Sequence, residues 1–103
     1  MRHQIKDLKP DSSQVDIVVK LIAQFNPRQA QGHFIVTFMA ADPTGRIAIL
    51  FWDRDAEVVK IGDYIEIQNG YIRVFQDQME LNIGKYGSLR HVEPPQEFIE
   101  KGL

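Results

Sequence analysis

In the stretch NGYIRVF, residues 69–75, Tyr71, Arg73 and Phe75 recur at every second position directly after a glycine. A period of two is that of an extended strand, whose side chains alternate between faces, so one face would carry two aromatic rings and a guanidinium. Large rings kept out of a core offer flat π-surfaces for stacking, and a cation between them offers a partner for an anion. A related pair, Arg46 and Trp52, flanks RIAILFW at 46–52. These side chains act together only if the elements carrying them adjoin.

The elements are mostly short strands. In VDIVVKLIAQF, 15–25, Val15, Ile17, Val19, Leu21, Ala23 and Phe25 share the parity of one face. NPRQAQG, 26–32, reads as a loop, and Phe34 to Ala41 as a second strand, apolar on both faces. DPTG, 42–45, is a tight turn that joins it to a third strand as a hairpin. There Ile47, Ile49 and Phe51 point to the core, and Arg46, Ala48, Leu50 and Trp52 point away. DRDAEVVK, 53–60, favours a short helix, with Asp53 as N-cap, acids in its first turn and a lysine at its end.

In the fourth strand, Ile65 and Ile67 share one face, but after Asn69-Gly70 the aliphatics are Ile72 and Val74. A parity flip at a glycine predicts a bulge, which turns Tyr71, Arg73 and Phe75 away from the core. A turn at 76–78 leads to a fifth strand, MELNIGKYG, with Met79, Leu81 and Ile83 inward. The expected fold is all-β: a five-stranded Greek-key OB-fold barrel with one short helix between the third and fourth strands. Residues 1–92 would form this single domain, and 93–103 a C-terminal tail or short helical turn.

Composition fits one globular domain. The chain has 103 residues, 44% hydrophobic and 25% charged, and no cysteine, so disulfides and thiolate chemistry are excluded. No apolar run approaches the ~18–20 residues that span a bilayer, and residues 1–10 are too charged for a secretory leader, so no membrane partner is expected. A net charge of −2 argues against indiscriminate binding to polyanions. Several acids (Asp7, Asp11, Glu93, Glu97, Glu100) lie near the ends, which leaves room for one basic face.

A concave face with Trp52, Tyr71 and Phe75 beside Arg46 and Arg73 suits single-stranded nucleic acid, whose unpaired bases stack on rings while its phosphates seek cations. Each stacked base contributes roughly 1–3 kcal/mol, whatever the base. Lys85 and the loop residue Arg28 are further candidates for phosphates. Competing readings give Trp52 a place capping the barrel core, and give Tyr71 and Phe75 cover from the C-terminal tail or a protein interface. No enzymatic pattern stands out. Capping explains the acids of DRDAE, and His3, His33 and His91 follow no metal-ligand spacing, so neither a metal nor another cofactor is expected. Stacking does not separate DNA from RNA.

IKDLKP at 5–10, ADPTGRIAILFWD at 41–53, IGDYIEIQNGYIRVF at 61–75 and LNIGKYG at 81–87 resemble the single-OB single-stranded DNA-binding proteins. These comprise archaeal SSB and the eukaryotic SSB-like proteins of the SOSS complex. The resemblance implies that Trp52, Tyr71 and Phe75 stack bases. Eukaryotic members carry one more aromatic in the fifth strand, where this chain has Asn82. It further implies a role in DNA repair and replication and, for eukaryotic members, assembly with an Integrator-type scaffold subunit. The chain lacks the Lys/Glu enrichment of hyperthermophiles, which favours a eukaryote and the nucleus; for an archaeal chain the cytoplasm is expected. The alternatives are an OB-fold adaptor serving mainly protein–protein contacts, or a single-stranded RNA binder.

Overall fold

The computed structural model describes residues 2–103. Its strands are β1 (Val15–Gln24), β2 (Arg28–Ala30), β3 (His33–Asp42), β4 (Gly45–Trp52), β5 (Tyr64–Phe75) and β6 (Gln78–His91). A short helix α1 (Arg54–Glu57) sits between β4 and β5, and α2 (Gln96–Glu100) follows β6. Neighbours run in the order β1-β5-β6-β4-β3-β2, and an added β1–β3 pairing closes the sheet. Five of these strands make a closed OB-fold barrel, with β4–β6 the parallel pair. The sixth, β2, is an arm folded onto β3.

That arm corrects the expectation of a plain loop at 26–32. Gln31 and Gly32 both take positive φ, 53° and 82°, the backbone of a two-residue type I′ turn that twists with its flanking strands. Gln-Gly lacks the Asn or Asp that usually marks this turn, so the sequence does not advertise the hairpin. Gln76 and Asp77, with φ of 51° and 64°, form a second such turn, and Gln78 already belongs to β6, opposite Phe75. β6 also runs on to His91, beyond the expected end near Gly87.

The barrel interior holds Val15, Ile17, Val19, Leu21, Val36, Phe38, Ala40, Ile47, Ile49, Phe51, Ile65, Ile67, Ile72 and Leu81. Phe38 and Phe51 meet edge to face at 5.6 Å. Asp42 is buried and ties the β3–β4 turn together. Its carboxylate accepts from the Thr44 N–H and hydroxyl, both at 2.7 Å, and from the Ile5 N–H at 2.8 Å.

The predicted bulge in β5 is present: pairing with β6 slips between Gln68 and Gly70. Its division of labour differs from the expectation. Asn69 carries the positive φ of 58°, and its N–H donates to Asp16 Oδ1 at 2.9 Å. Gly70 serves close packing instead, since a Cβ there would stand 3.0 Å from the Asn82 carbonyl oxygen. Val74 has the inward parity but lies near the strand end and is exposed.

β1 carries a second bulge, which its unbroken alternation does not predict. The β1–β3 register shifts between Leu21 and Ala23, so Leu21 faces Ala40 in the core whereas Ala23 faces Met39 on the opposite side. The single-face reading of β1 therefore stops at Leu21. The helix after β4 is also shorter than expected. Asp53, at the N-cap position, has φ 51° and ψ −116° and makes no side-chain cap; its carboxylate turns back onto β3.

Candidate nucleic-acid interface

Strand register places the candidate residues. Across β3 and β4, Ile35 pairs with Trp52, Thr37 with Leu50, Met39 with Ala48 and Ala41 with Arg46. All lie on the face away from the core. β6 continues the rows, Asn82 beside Leu50 and Glu80 beside Ala48. β5 completes them, with Tyr71 opposite Asn82, Arg73 opposite Glu80 and Phe75 opposite Gln78. Trp52, Tyr71, Phe75, Arg46 and Arg73 thus share one face of the barrel. Arg28 joins the row of Ile35 and Trp52 from β2.

Lys85 stands apart. It belongs to residues 84–87, which pass without partners between the pairs Gly70–Ile83 and Gln68–Ser88, and its ammonium lies 5.6 Å from the Tyr86 ring centre. Tyr86 is 81% exposed, an aromatic that strand parity alone does not single out.

The aromatic side chains are held in distinct ways. Tyr71 lies against the backbone at Gly84, where an added Cβ would meet its ring at 3.4 Å, so the missing side chain lets the ring rest on β6. Trp52 is 36% exposed. Its indole N–H donates to Asn82 Oδ1 at 3.4 Å, and the His33 ring meets it edge-on at 5.5 Å. Phe75 is 50% exposed. The C-terminal segment docks at the start of β5. Phe98 of α2 packs on Tyr64 at 6.0 Å, and the Tyr64 hydroxyl donates to the Leu103 carbonyl at 2.7 Å.

Asp53 anchors the Trp52 end. Its carboxylate accepts the Phe34 N–H at 2.9 Å and the His33 Nδ1–H at 2.7 Å. The Phe34 backbone bond first, and then the His33 side chain, hold its carboxyl below the usual carboxylate range. The Asp53 carboxylate thus ties the start of α1 back to β3.

Between the β1–β2 connection and the β5–β6 turn the face deepens into a groove of about 720 Å³. Its lining includes Phe25, Met39, Arg46, Ala48, Phe75 and Glu80. An apolar floor, aromatic side walls and a guanidinium are what a stacked base with a nearby phosphate requires.

Residues 8–91 match the family described as single-stranded DNA binding protein Ssb-like, OB fold. The chain belongs to this family.

This Ssb-like chain is 28% identical over 88 residues to the single-stranded DNA binding protein Ssb of Saccharolobus solfataricus, a match covering 82% of the chain and 60% of the relative. Over 102 residues it is 34% identical to replication factor A of Methanothermobacter thermautotrophicus, covering 94% of the chain and 13% of that protein. The chain therefore spans less than two thirds of either curated relative. Its fold is similar to that of a replication protein A domain from Methanococcus maripaludis, with a TM-score of 0.74 at 23% identity over 90% of this chain and 97% of that one. It is also similar to Schizosaccharomyces pombe Pot1pC bound to single-stranded DNA, with a TM-score of 0.67 at 12% identity over 98% and 93% of the two chains. At such identities the likeness is one of fold.

Sequence reasoning missed Phe25, His33 and Glu80 as members of this face. Glu80 was open to the parity argument, since it alternates with Leu81. Phe25 was not, because no glycine or proline marks the β1 bulge.

Proposed function

We propose that this Ssb-like chain binds single-stranded DNA along the outer face of β3, β4, β6 and β5, without catalysis. Trp52, Tyr71 and Phe75 stack bases, and Arg46, Arg73, Arg28 and Lys85 neutralise phosphates. The observation that carries this reading is the shared face of Trp52, Tyr71 and Phe75, with Arg73 between the two β5 rings and Arg46 at the far end of β4. Rings held on a rigid sheet lose little entropy when a base stacks, and three such contacts supply roughly 3–9 kcal/mol before ordering costs. The names of the Saccharolobus relative and of the matched family support the same ligand.

The finer role we propose is genome maintenance, in DNA repair, as a nuclear component of a SOSS-like complex on an Integrator-type scaffold. Its support is the resemblance carried by the quoted motifs.

Fluorescence anisotropy with labelled oligo-dT tests the binding reading. The wild type should bind with a log–log salt slope of about −0.7 per phosphate contacted. The Trp52→Ala, Phe75→Ala double variant should lose at least ~2 kcal/mol while staying folded. Absence of wild-type binding, or a flat salt response, would overturn it. A pull-down with the scaffold subunit tests the finer role.

A further inference from the structure

Phe25 ends the apolar alternation of β1, and a regular strand would bury it. The bulge between Leu21 and Ala23 reverses its parity. The Phe25 N–H then donates to the Thr37 carbonyl at 2.9 Å, which continues the β1–β3 pairing and fixes the backbone of Phe25 beside Thr37. Thr37 belongs to the row Thr37–Leu50–Asn82–Tyr71 on the outer face. Phe25 is 49% exposed, and it lines the same groove as Phe75 from the other side of the barrel face.

We infer that Phe25 is a further base-stacking residue, lining together with Phe75 the slot that takes up one base of a single-stranded DNA. The inference rests on the binding reading above and adds to it a contact that the aromatics of β4 and β5 do not supply.

The chemistry of the groove decides which part of a nucleotide enters. Met39, Ala48 and Met79 make the floor apolar, and Asp77 and Glu80 add carboxylates to its lining. Carboxylates repel a phosphate and the apolar floor favours a flat ring, so the base goes in and the backbone stays at the rim. Arg46, at the edge of the groove, is placed for the phosphate that follows. A volume of about 720 Å³ falls within the ~300–1,000 Å³ typical of small-ligand sites, which is ample for a base.

The test compares Phe25→Ala, Phe25→Tyr and Trp52→Ala with the wild type on labelled oligo-dT, in anisotropy titrations across salt. A parallel series places a single 2-aminopurine at each position of the oligonucleotide, because stacking on a ring changes its fluorescence. Phe25→Ala should bind ~5–150-fold more weakly, the range of one lost stacking contact, with an unchanged salt slope because no cation is removed. Phe25→Tyr should retain near-wild-type affinity, and one 2-aminopurine position should respond to Phe25→Ala and not to Trp52→Ala. If Trp52→Ala weakens binding while Phe25→Ala does not, the slot is overturned and the binding reading stands. If the wild type itself does not bind, the binding reading fails and takes the slot with it. A thermal melt of each variant separates these outcomes from misfolding, to which a half-exposed side chain contributes little.

Discussion

The Trp52 indole N–H donates to Asn82 Oδ1 across two neighbouring strands, at 3.4 Å, and Asn82 is itself 2% exposed. Asn82 stands at the position where the resemblance expects an aromatic in eukaryotic members. Buried, it offers a base no surface, and its effect passes through Trp52. Asn82→Leu should keep the barrel folded, leave the indole free to swing, and weaken oligo-dT binding by about 0.5–1.5 kcal/mol, the net worth of a neutral hydrogen bond. The chain's single tryptophan makes the change readable as a shift in intrinsic fluorescence.

Arg73 faces Glu80 across β5 and β6. The carboxylate lowers the local attraction for a polyanion. Glu80→Gln is expected to tighten oligo-dT binding a few-fold and to steepen its salt dependence. Arg73→Gln should weaken binding and make the log–log slope shallower by about 0.7, the value of one phosphate contact on a single strand. Salt titrations of the two variants side by side check both signs.

The β5 bulge leaves no room at Gly70. An alanine there would bring its Cβ to 3.0 Å from the Asn82 carbonyl oxygen, 3.1 Å from Ile67 Cγ2 and 3.3 Å from Leu81 Cδ1. Gly70→Ala should cost about 1–3 kcal/mol of stability as the core and strand shift to admit it. Gly87→Ala should also destabilise the domain, because its Cβ would approach two backbone carbonyl oxygens, of Gln68 and Asn69, at 2.9 Å each. Urea midpoints of the two variants measure the losses.

Asp63 links β5 to the end of β6. Burial pushes its carboxyl up, but hydrogen bonds from the Lys60 ammonium, the His91 ring and the Lys60 N–H outweigh burial and hold it below the usual range. Its folded value thus lies below the ~3.9 of an unfolded chain. Falling pH protonates the unfolded state first, so the stabilisation is complete above about pH 5 and fades as pH drops through the folded value. Asp63→Asn should be less stable than wild type at pH 7, and the gap should narrow toward pH 3. Urea unfolding at both pH values checks this.

Much of this barrel was legible in the sequence because its signals are local. Alternation of apolar residues fixed the faces of β4 and of both halves of β5, since a strand's side chains must alternate. Asn69-Gly70 announced its bulge because few residues accept the backbone or the crowding found there. Asp42-Pro43-Thr44-Gly45 announced a turn for the same kind of reason. Together these placed Trp52, Tyr71, Arg73 and Phe75 outside the core.

The remainder depended on which strands meet. β1 must pair with β5 along one edge and β3 along the other, and the closing geometry inserts a bulge at Ile22 that no residue type advertises; that bulge turns Phe25 outward. Asp53 has the side chain of a helix cap, yet the Phe34 N–H and His33 lie within its reach only after β3 and β4 have paired, and they take its carboxylate. Asn82 reads as a polar residue on an outer face, and only the packing of Trp52 and Tyr71 around it makes it buried. Alternation along one strand specifies the direction of a side chain, whereas its neighbours are chosen by chain closure.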